Sequence, residues 1–375
     1  MERAYRAALA CLPRMSPLSL PRLISMAGGA CELWDLIARK SPALEKSVGA
    51  EKMGLWRSAC REAEPAQVLR GLEERGIRVI IPGDGALPPD LWSIYDPPAL
   101  LFAAGREVDA RAPFVAVVGA RKASGYGRRC ALFLASQLAQ CGVVVVSGAA
   151  YGIDGHAHRG CLEAGGPTVA VLGCGIDRVY PPAHAQLLER IKENGCLLSE
   201  YAPGEEPLPW RFPHRNRLIA GLSQAVVVVE ACEKSGALIT AEFALEEGRE
   251  VMAVPGPIDS PLSRGTHSLI QKGAKLVAGV EDVLEELQGF HLEPPLTGTA
   301  FTCASPGAHG ELQARERALL ALLVDGAKSL DSMVEATGEP PGEILASLTS
   351  LALKGWVAAE PGGRYCATRH LGELA

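Results

Sequence analysis

Three short stretches of this chain combine fixed positive charge with small residues, a pairing that lets a backbone and a side chain grip one phosphate together. The first is Gly119-Ala-Arg-Lys-Ala-Ser-Gly-Tyr-Gly127. Arg121 stands where a dinucleotide fingerprint needs glycine, so close approach of a pyrophosphate is obstructed while the guanidinium itself can hold a single phosphate. Arg121 and Ser124 are the ligands expected there. Lys122, Arg128 and Arg129 add charge around the N-terminus of the following helix, where it opposes the helix dipole. The second stretch is Arg211-Phe-Pro-His-Arg-Asn-Arg217. Pro213 suits a first helical position, which puts Arg215, Asn216 and Arg217 in an opening turn where cations are unfavourable. They are expected to serve something outside the helix, with Phe212 beside them as a stacking ring. The competing use is internal pairing with Glu200, Glu205 or Glu206. The third stretch, Lys234-Ser-Gly236, offers a charge, an N-cap hydroxyl and a residue with no side chain to obstruct a phosphate.

Other residues take part less directly. Gly148, after a run of four valines, is a small strand-end residue that lets a ligand approach the backbone. Tyr180, in Tyr180-Pro-Pro182, can stack on a base or simply shape its loop. Asp154 and His158 are four apart on one helical face, and a structural hydrogen bond between them is expected to hold the loop. No serine or cysteine at a strained elbow accompanies that pair, and no metal-ligand spacing is visible.

The elements that must position these residues follow from apolar periodicity. Val115–Val118, Val143–Val146, Thr168–Leu172, Ala225–Val229 and Val251–Val254 are strands without a polar face. Such strands are buried on both sides. Helical segments lie between them, and this alternation predicts an α/β fold, a doubly wound parallel sheet whose ligands sit beyond the carboxyl ends of its strands. Residues 1–72 read as a small helical unit whose turn, Pro13-Arg-Met-Ser-Pro17, lacks the glycine that would bring amides to a phosphate. Residues 73–288 form the main domain, and 289–310, rich in Pro, Gly and Thr, a linker. Residues 311–370 give three helices and a glycine-tipped hairpin, the pattern of a winged helix. Its third helix carries no Lys or Arg from Gly342 to Leu353, which is poor chemistry for a major groove and favours protein contact or a structural role.

Bulk composition restricts the possibilities. The 375 residues carry a net charge of −6, so any site for a polyanion must be a local patch. Eleven scattered cysteines without a C-x-x-C pair read as reduced thiols of a cytoplasmic protein. No apolar window is long enough to span a membrane.

Together the motifs are recognisable. Ser147-Gly-Ala-Ala-Tyr-Gly-Ile-Asp-Gly-His-Ala-His158, Val169–Asp177, Phe212-Pro-His-Arg-Asn-Arg-Leu-Ile-Ala-Gly-Leu-Ser223, Lys234–Thr240 and Gly248–Gly256 resemble signatures of the DNA processing protein A (DprA/Smf) family. The resemblance runs in order from about Val115 to Leu287. It implies an extended Rossmann domain that binds single-stranded DNA without cutting it, needs no cofactor, acts as a homodimer and loads the RecA recombinase onto strands taken up in natural transformation. It also implies accessory domains, an N-terminal one of sterile-alpha-motif or helix-hairpin-helix type and a C-terminal winged helix. By the same resemblance Arg121 and Lys234-Ser235-Gly236 hold backbone phosphates, with Gly148 and Arg215-Asn216-Arg217 lining the pocket. Tyr151 departs from the small or basic residue common at its position. The rival is an enzyme of the nucleotide phosphoribohydrolase type, whose P-G-G-x-G-T-x-x-E loop compares with Lys234-Ser-Gly-Ala-Leu-Ile-Thr-Ala-Glu242 here, without the double glycine.

Overall fold

The computed structural model describes residues 1–287, 314–323, 328–353, 356–360 and 363–367. Contacts divide the chain into two units, Met1–Glu293 and Pro294–Ala375.

The first unit opens with six short helices: α1 (Glu2–Ala10), α2 (Leu20–Ala27), α3 (Ala30–Ala38), α4 (Pro42–Val48), α5 (Ala50–Glu62) and α6 (Pro65–Glu74). Prolines at the starts of α2, α4 and α6 occupy first-turn positions that need no amide donor. Strands β1 (Arg78–Ile80) and β2 (Leu101–Gly105) follow, and then the alternating part of the chain. It runs β3 (Phe114–Val118), α7 (Gly125–Gln140), β4 (Val144–Ser147), α8 (Ile153–Glu163), β5 (Thr168–Leu172), α9 (Ala185–Asn194) and β6 (Cys196–Ser199). It continues with α10 (Arg211–Leu222), β7 (Ala225–Val228), α11 (Gly236–Glu246), β8 (Glu250–Ala253), α12 (Arg264–Gln271), β9 (Lys275–Leu276) and α13 (Val280–Leu284).

The nine strands form one sheet in the order β1-β2-β6-β5-β4-β3-β7-β8-β9. From β6 to β9 every pairing is parallel, while β2 joins β6, and β1 joins β2, antiparallel. Chain order runs one way from β3 through β4, β5 and β6, then reverses at β7. The gap between the ends of β3 and β7 is therefore the switch point, where ligands of doubly wound sheets bind. Apolar pattern does not mark β6: Cys196-Leu-Leu-Ser199 is short, has no β-branched residue, and uses leucines that suit a helix equally well. Pairing with β5 and β2 makes it a strand.

The two faces of the sheet are covered separately. Val115 and Val117 pack with Leu134 and Leu138 of α7 and with Ile153 of α8. Ala116 and Val118 face Leu218 and Ile219 of α10 and Ala241 of α11. The N-terminal helices share a further core with Ala170, Leu172 and Leu197, so Leu33, Trp34 and Trp56 are buried by packing that reaches the sheet.

The second unit contains α14 (Ala314–Leu323), α15 (Leu330–Thr337) and α16 (Pro341–Leu353), with β10 (Lys328–Ser329), β11 (Val357–Glu360) and β12 (Arg364–Ala367) in the order β10-β12-β11. This is the expected winged helix, with Leu319, Met333, Ile344, Leu348 and Val357 in its core. The expected linker, residues 289–310, lies outside the described residues. Among the described residues no helix is long and apolar enough to cross a membrane, and every cysteine is a free thiol.

Candidate nucleic-acid interface

The loop after β3, the loop after β7 and the first turn of α10 meet at the switch point around a cleft of about 450 Å³. Arg121, Lys122 and Arg215 line it, and Asp154 is the acidic residue among its walls. The chain's net negative charge is thus reversed locally.

Arg121 is exposed, with its guanidinium carbon 5.4 Å from the centre of the Phe212 ring. Phe212 packs on Tyr180 with ring centres 5.1 Å apart and planes inclined by 32°. Its ring also rests on Gly173, where a Cβ would come within 2.9 Å of it. Guanidinium and two rings therefore form a continuous layer at the edge of the cleft. Neither Arg121, Lys122 nor Lys234 makes a hydrogen bond or ion pair with a described residue, so their charge is available to an external anion; Arg121 and Lys122 line the cleft, while Lys234 stands outside the lining, next to Ser235.

On the opposite wall Ser235 caps α11, its Oγ accepting from the Ala237 amide at 3.3 Å. Gly236 has nothing within 4 Å of where its Cβ would lie, which leaves the helix start open. Asn216 ties the walls together: its Oδ1 accepts from Arg215 Nε at 3.2 Å and its Nδ2 donates to the Gly236 carbonyl at 3.2 Å.

Several expected ligands are used inside the protein instead. Arg217 is buried, and its Nη2 donates to both oxygens of Glu200 at 2.8 Å. It cannot reach a phosphate in the cleft; of the two uses open to it, internal pairing prevails. Arg211 pairs similarly with Glu205 at 2.5 Å. Arg215 touches the cleft, but its Nη1 donates to the carbonyls of Gly148 and Val171, so the guanidinium works mainly as a clamp between the ends of β4 and β5. Burial lowers its pKa to about 10, which leaves it charged at neutral pH.

Gly148 is small for the clamp rather than for a ligand, because a Cβ there would lie 2.4 Å from Arg215 Nη2. Ser124 is likewise consumed. Its Oγ accepts from the Gly127 amide at 3.0 Å and donates to Glu230 at 2.5 Å, while Glu230 also accepts from the Ser124 amide at 2.9 Å. The anion at the start of α7 is thus the protein's own carboxylate. Gly127 accommodates it, since a Cβ would stand 2.2 Å from Glu230 Oε2. Sequence pattern passes over Glu230; its signal is an acidic residue closing a wholly apolar strand.

Asp154 and His158 do not pair. Asp154 Oδ2 accepts from the amides of Gly148 and Ala150 at 3.2 and 3.4 Å. Burial pushes its carboxyl up, opposed by the nearby Arg215 charge and these two amides. His158 lies 2.8 Å from Thr168 Oγ1, whose own hydroxyl donates to Val145. That fixes the proton on Nδ1 and leaves Nε2 buried without a partner. Loop curvature carries Asp154 toward the strand ends, while His158 faces the strands a full turn further on. Among the described residues no group of three or more His, Cys, Asp or Glu is placed to hold a metal ion.

A Rossmann-type sheet with a cationic, aromatic-edged cleft at its switch point places the chain in the class of doubly wound α/β proteins with the cleft where such folds take their ligands. The family model described as DNA recombination-mediator protein A matches residues 78–288, and that of the DprA winged helix domain residues 304–363. Protein Smf of Escherichia coli (strain K12) is 43% identical over 288 residues, 76% of each chain. DNA processing protein DprA of Streptococcus pneumoniae is 49% identical over 205 residues, 55% of this chain and 72% of that one. The crystal structure of DNA processing protein A from Streptococcus pneumoniae superposes with a TM-score of 0.64 at 37% identity, covering 76% of this chain and 97% of that chain. The chain belongs to the DNA recombination-mediator protein A (DprA/Smf) family of DNA-processing proteins.

Proposed function

We propose that this protein binds single-stranded DNA in the switch-point cleft, holding backbone phosphates with Arg121, Lys234 and the open start of α11 while a base lies against the layer that Phe212 and Tyr180 form. The observation that carries this reading is the exposed, unpaired Arg121 against an aromatic layer, with Lys122 in the same cleft, on a chain of net charge −6. Charge fixes the backbone and rings take bases of any kind, so binding depends on salt and little on sequence. A cleft of about 450 Å³ has the size of small-ligand pockets, suited to one or two nucleotides of a flexible strand rather than to a duplex. By family resemblance the protein acts in the cytoplasm as a homodimer without cofactor or chemistry, protecting strands taken up in transformation and loading the RecA recombinase onto them.

Fluorescence anisotropy with labelled single-stranded and duplex oligonucleotides at two salt concentrations tests the binding. A clear preference for the single strand, weakening with salt, is expected. Preference for duplex would overturn it. Nucleation of RecA on strands coated by single-strand-binding protein, with and without this protein, tests the loading step. The phosphoribohydrolase reading finds little support, since Glu242, which would carry that chemistry, is exposed and does not line the cleft. Release of free base from a nucleotide, lost on Glu242→Gln, would restore it.

A further inference from the structure

A second cleft, of about 300 Å³, opens on the same carboxyl edge of the sheet. The turn between α1 and α2 supplies Arg14 and Met15, the start of β2 and the end of β6 supply Leu100 and Tyr201, and the residues entering α10 supply Trp210 and Arg211. One turn of chain therefore joins the two clefts, with Trp210 and Arg211 in this one and Phe212, Pro213 and Asn216 in the other. In the sheet β6 is three strands from β3, whose following loop carries Arg121, a separation of roughly 14 Å.

The chemistry of the second cleft differs from that of the first. Its charges are already paired: Arg211 with Glu205, Glu200 with Arg217 and Arg14 with Glu51. Nothing there asks for a phosphate. What it presents is a tryptophan, 51% exposed, beside the apolar groups of Met15, Pro17, Leu20 and Leu100. The buried Arg211 guanidinium lies 4.7 Å from the Tyr201 ring and 5.2 Å from the Trp210 ring, and Trp210 meets His214 edge-on at 5.9 Å. These contacts fix the indole while leaving half of it open, so a stacking partner has little ordering left to do.

We propose that the second cleft is a base subsite, taking an unpaired nucleobase by stacking on Trp210 while the backbone on one side of it is held at Arg121. This rests on the single-strand reading. It gives the N-terminal helical unit a part in binding through the Pro13–Pro17 turn, by apolar contact with a base rather than by amides on a phosphate.

The test compares thymidine oligonucleotides of about two nucleotides, too short to reach from the Arg121 loop to Trp210, and of about twelve, within the range of single-strand site lengths. Trp210→Ala, and separately Ser16→Glu, which places a charge in the second cleft from the helical unit, should each lower affinity for the longer strand roughly tenfold. Affinity for the shorter strand should not change. Trp210→Phe should keep most of the longer strand's affinity but lose a component of the tryptophan fluorescence quenching that this strand causes. Wild-type affinity for the longer strand in both Trp210→Ala and Ser16→Glu, or an equal loss on both strands, overturns the proposal. If the unaltered protein binds neither strand, the single-strand reading itself fails, and the subsite with it.

Discussion

Arg217 Nη2 sits 2.8 Å from each carboxylate oxygen of Glu200, and both side chains are more than nine-tenths buried. The pair joins α10 to the end of β6, with Glu200 in the wall of the second cleft. Removing one partner strands the other charge in an apolar setting, which costs about 3–5 kcal/mol. Arg217→Ala should therefore lower unfolding stability by that order in urea titration. The double replacement Arg217→Met with Glu200→Leu should recover most of the loss. If Arg217→Ala instead keeps full stability and loses DNA affinity, the arginine serves the ligand after all.

Arg121 behaves oppositely because it is exposed and unpaired. Arg121→Ala is expected to leave stability within about 0.5 kcal/mol of the wild type. Its affinity for single strands should fall about tenfold, and the slope of log K against log salt should flatten by about one. Unchanged binding would remove Arg121 from the site.

The Glu230 carboxylate occupies the start of α7, where a phosphate was expected. Ser124→Ala should thus cost about 1 kcal/mol as a lost cap while changing DNA affinity by less than about twofold. Glu230→Ala removes hydrogen bonds to a charged acceptor and should cost about 2–3 kcal/mol. Thermal unfolding beside anisotropy on the same preparations separates the two effects; a large affinity loss in Ser124→Ala with normal stability would return Ser124 to the phosphate site.

His158 links stability to pH. Burial pushes its pKa down to about 3, with the positive charges around it acting in the same direction. The unfolded chain takes up that proton near 6.5. Between these values the unfolded state binds more protons than the folded one, so stability falls as pH drops from about 6.5 towards 3. The slope approaches about 1.4 kcal/mol per unit. Above pH 6.5 the group contributes nothing. Denaturation of the wild type and His158→Gln from pH 7.5 to about 4.5 should show curves that converge at the acidic end. Parallel curves would show that His158 does not titrate with unfolding.

Much of the architecture could be read from pattern because burial on both faces leaves a mark in consecutive residues. The valine runs of β3, β4 and β7 are such marks, as are Ser235 and Gly236 at the start of α11. A strand such as β6 leaves none, since its leucines are ambiguous until β5 and β2 flank it. In the site, Arg121 was legible because a cation two residues past a strand-end glycine has nowhere nearby to hide. Arg215 and Arg217 look like Arg121 in the sequence. Their partners, Gly148, Val171 and Glu200, lie far along the chain, and only folding brings them within 3 Å.

The sequence by itself determined the alternating fold, the edge of the sheet where the site must lie, and the family. Those depend on local periodicity and on motifs whose residues are contiguous. Only the tertiary structure decided which charges remain for a ligand. Whether a guanidinium faces a phosphate or a carboxylate depends on which loop ends meet at the switch point, and that is a property of strand order rather than of any one stretch of chain.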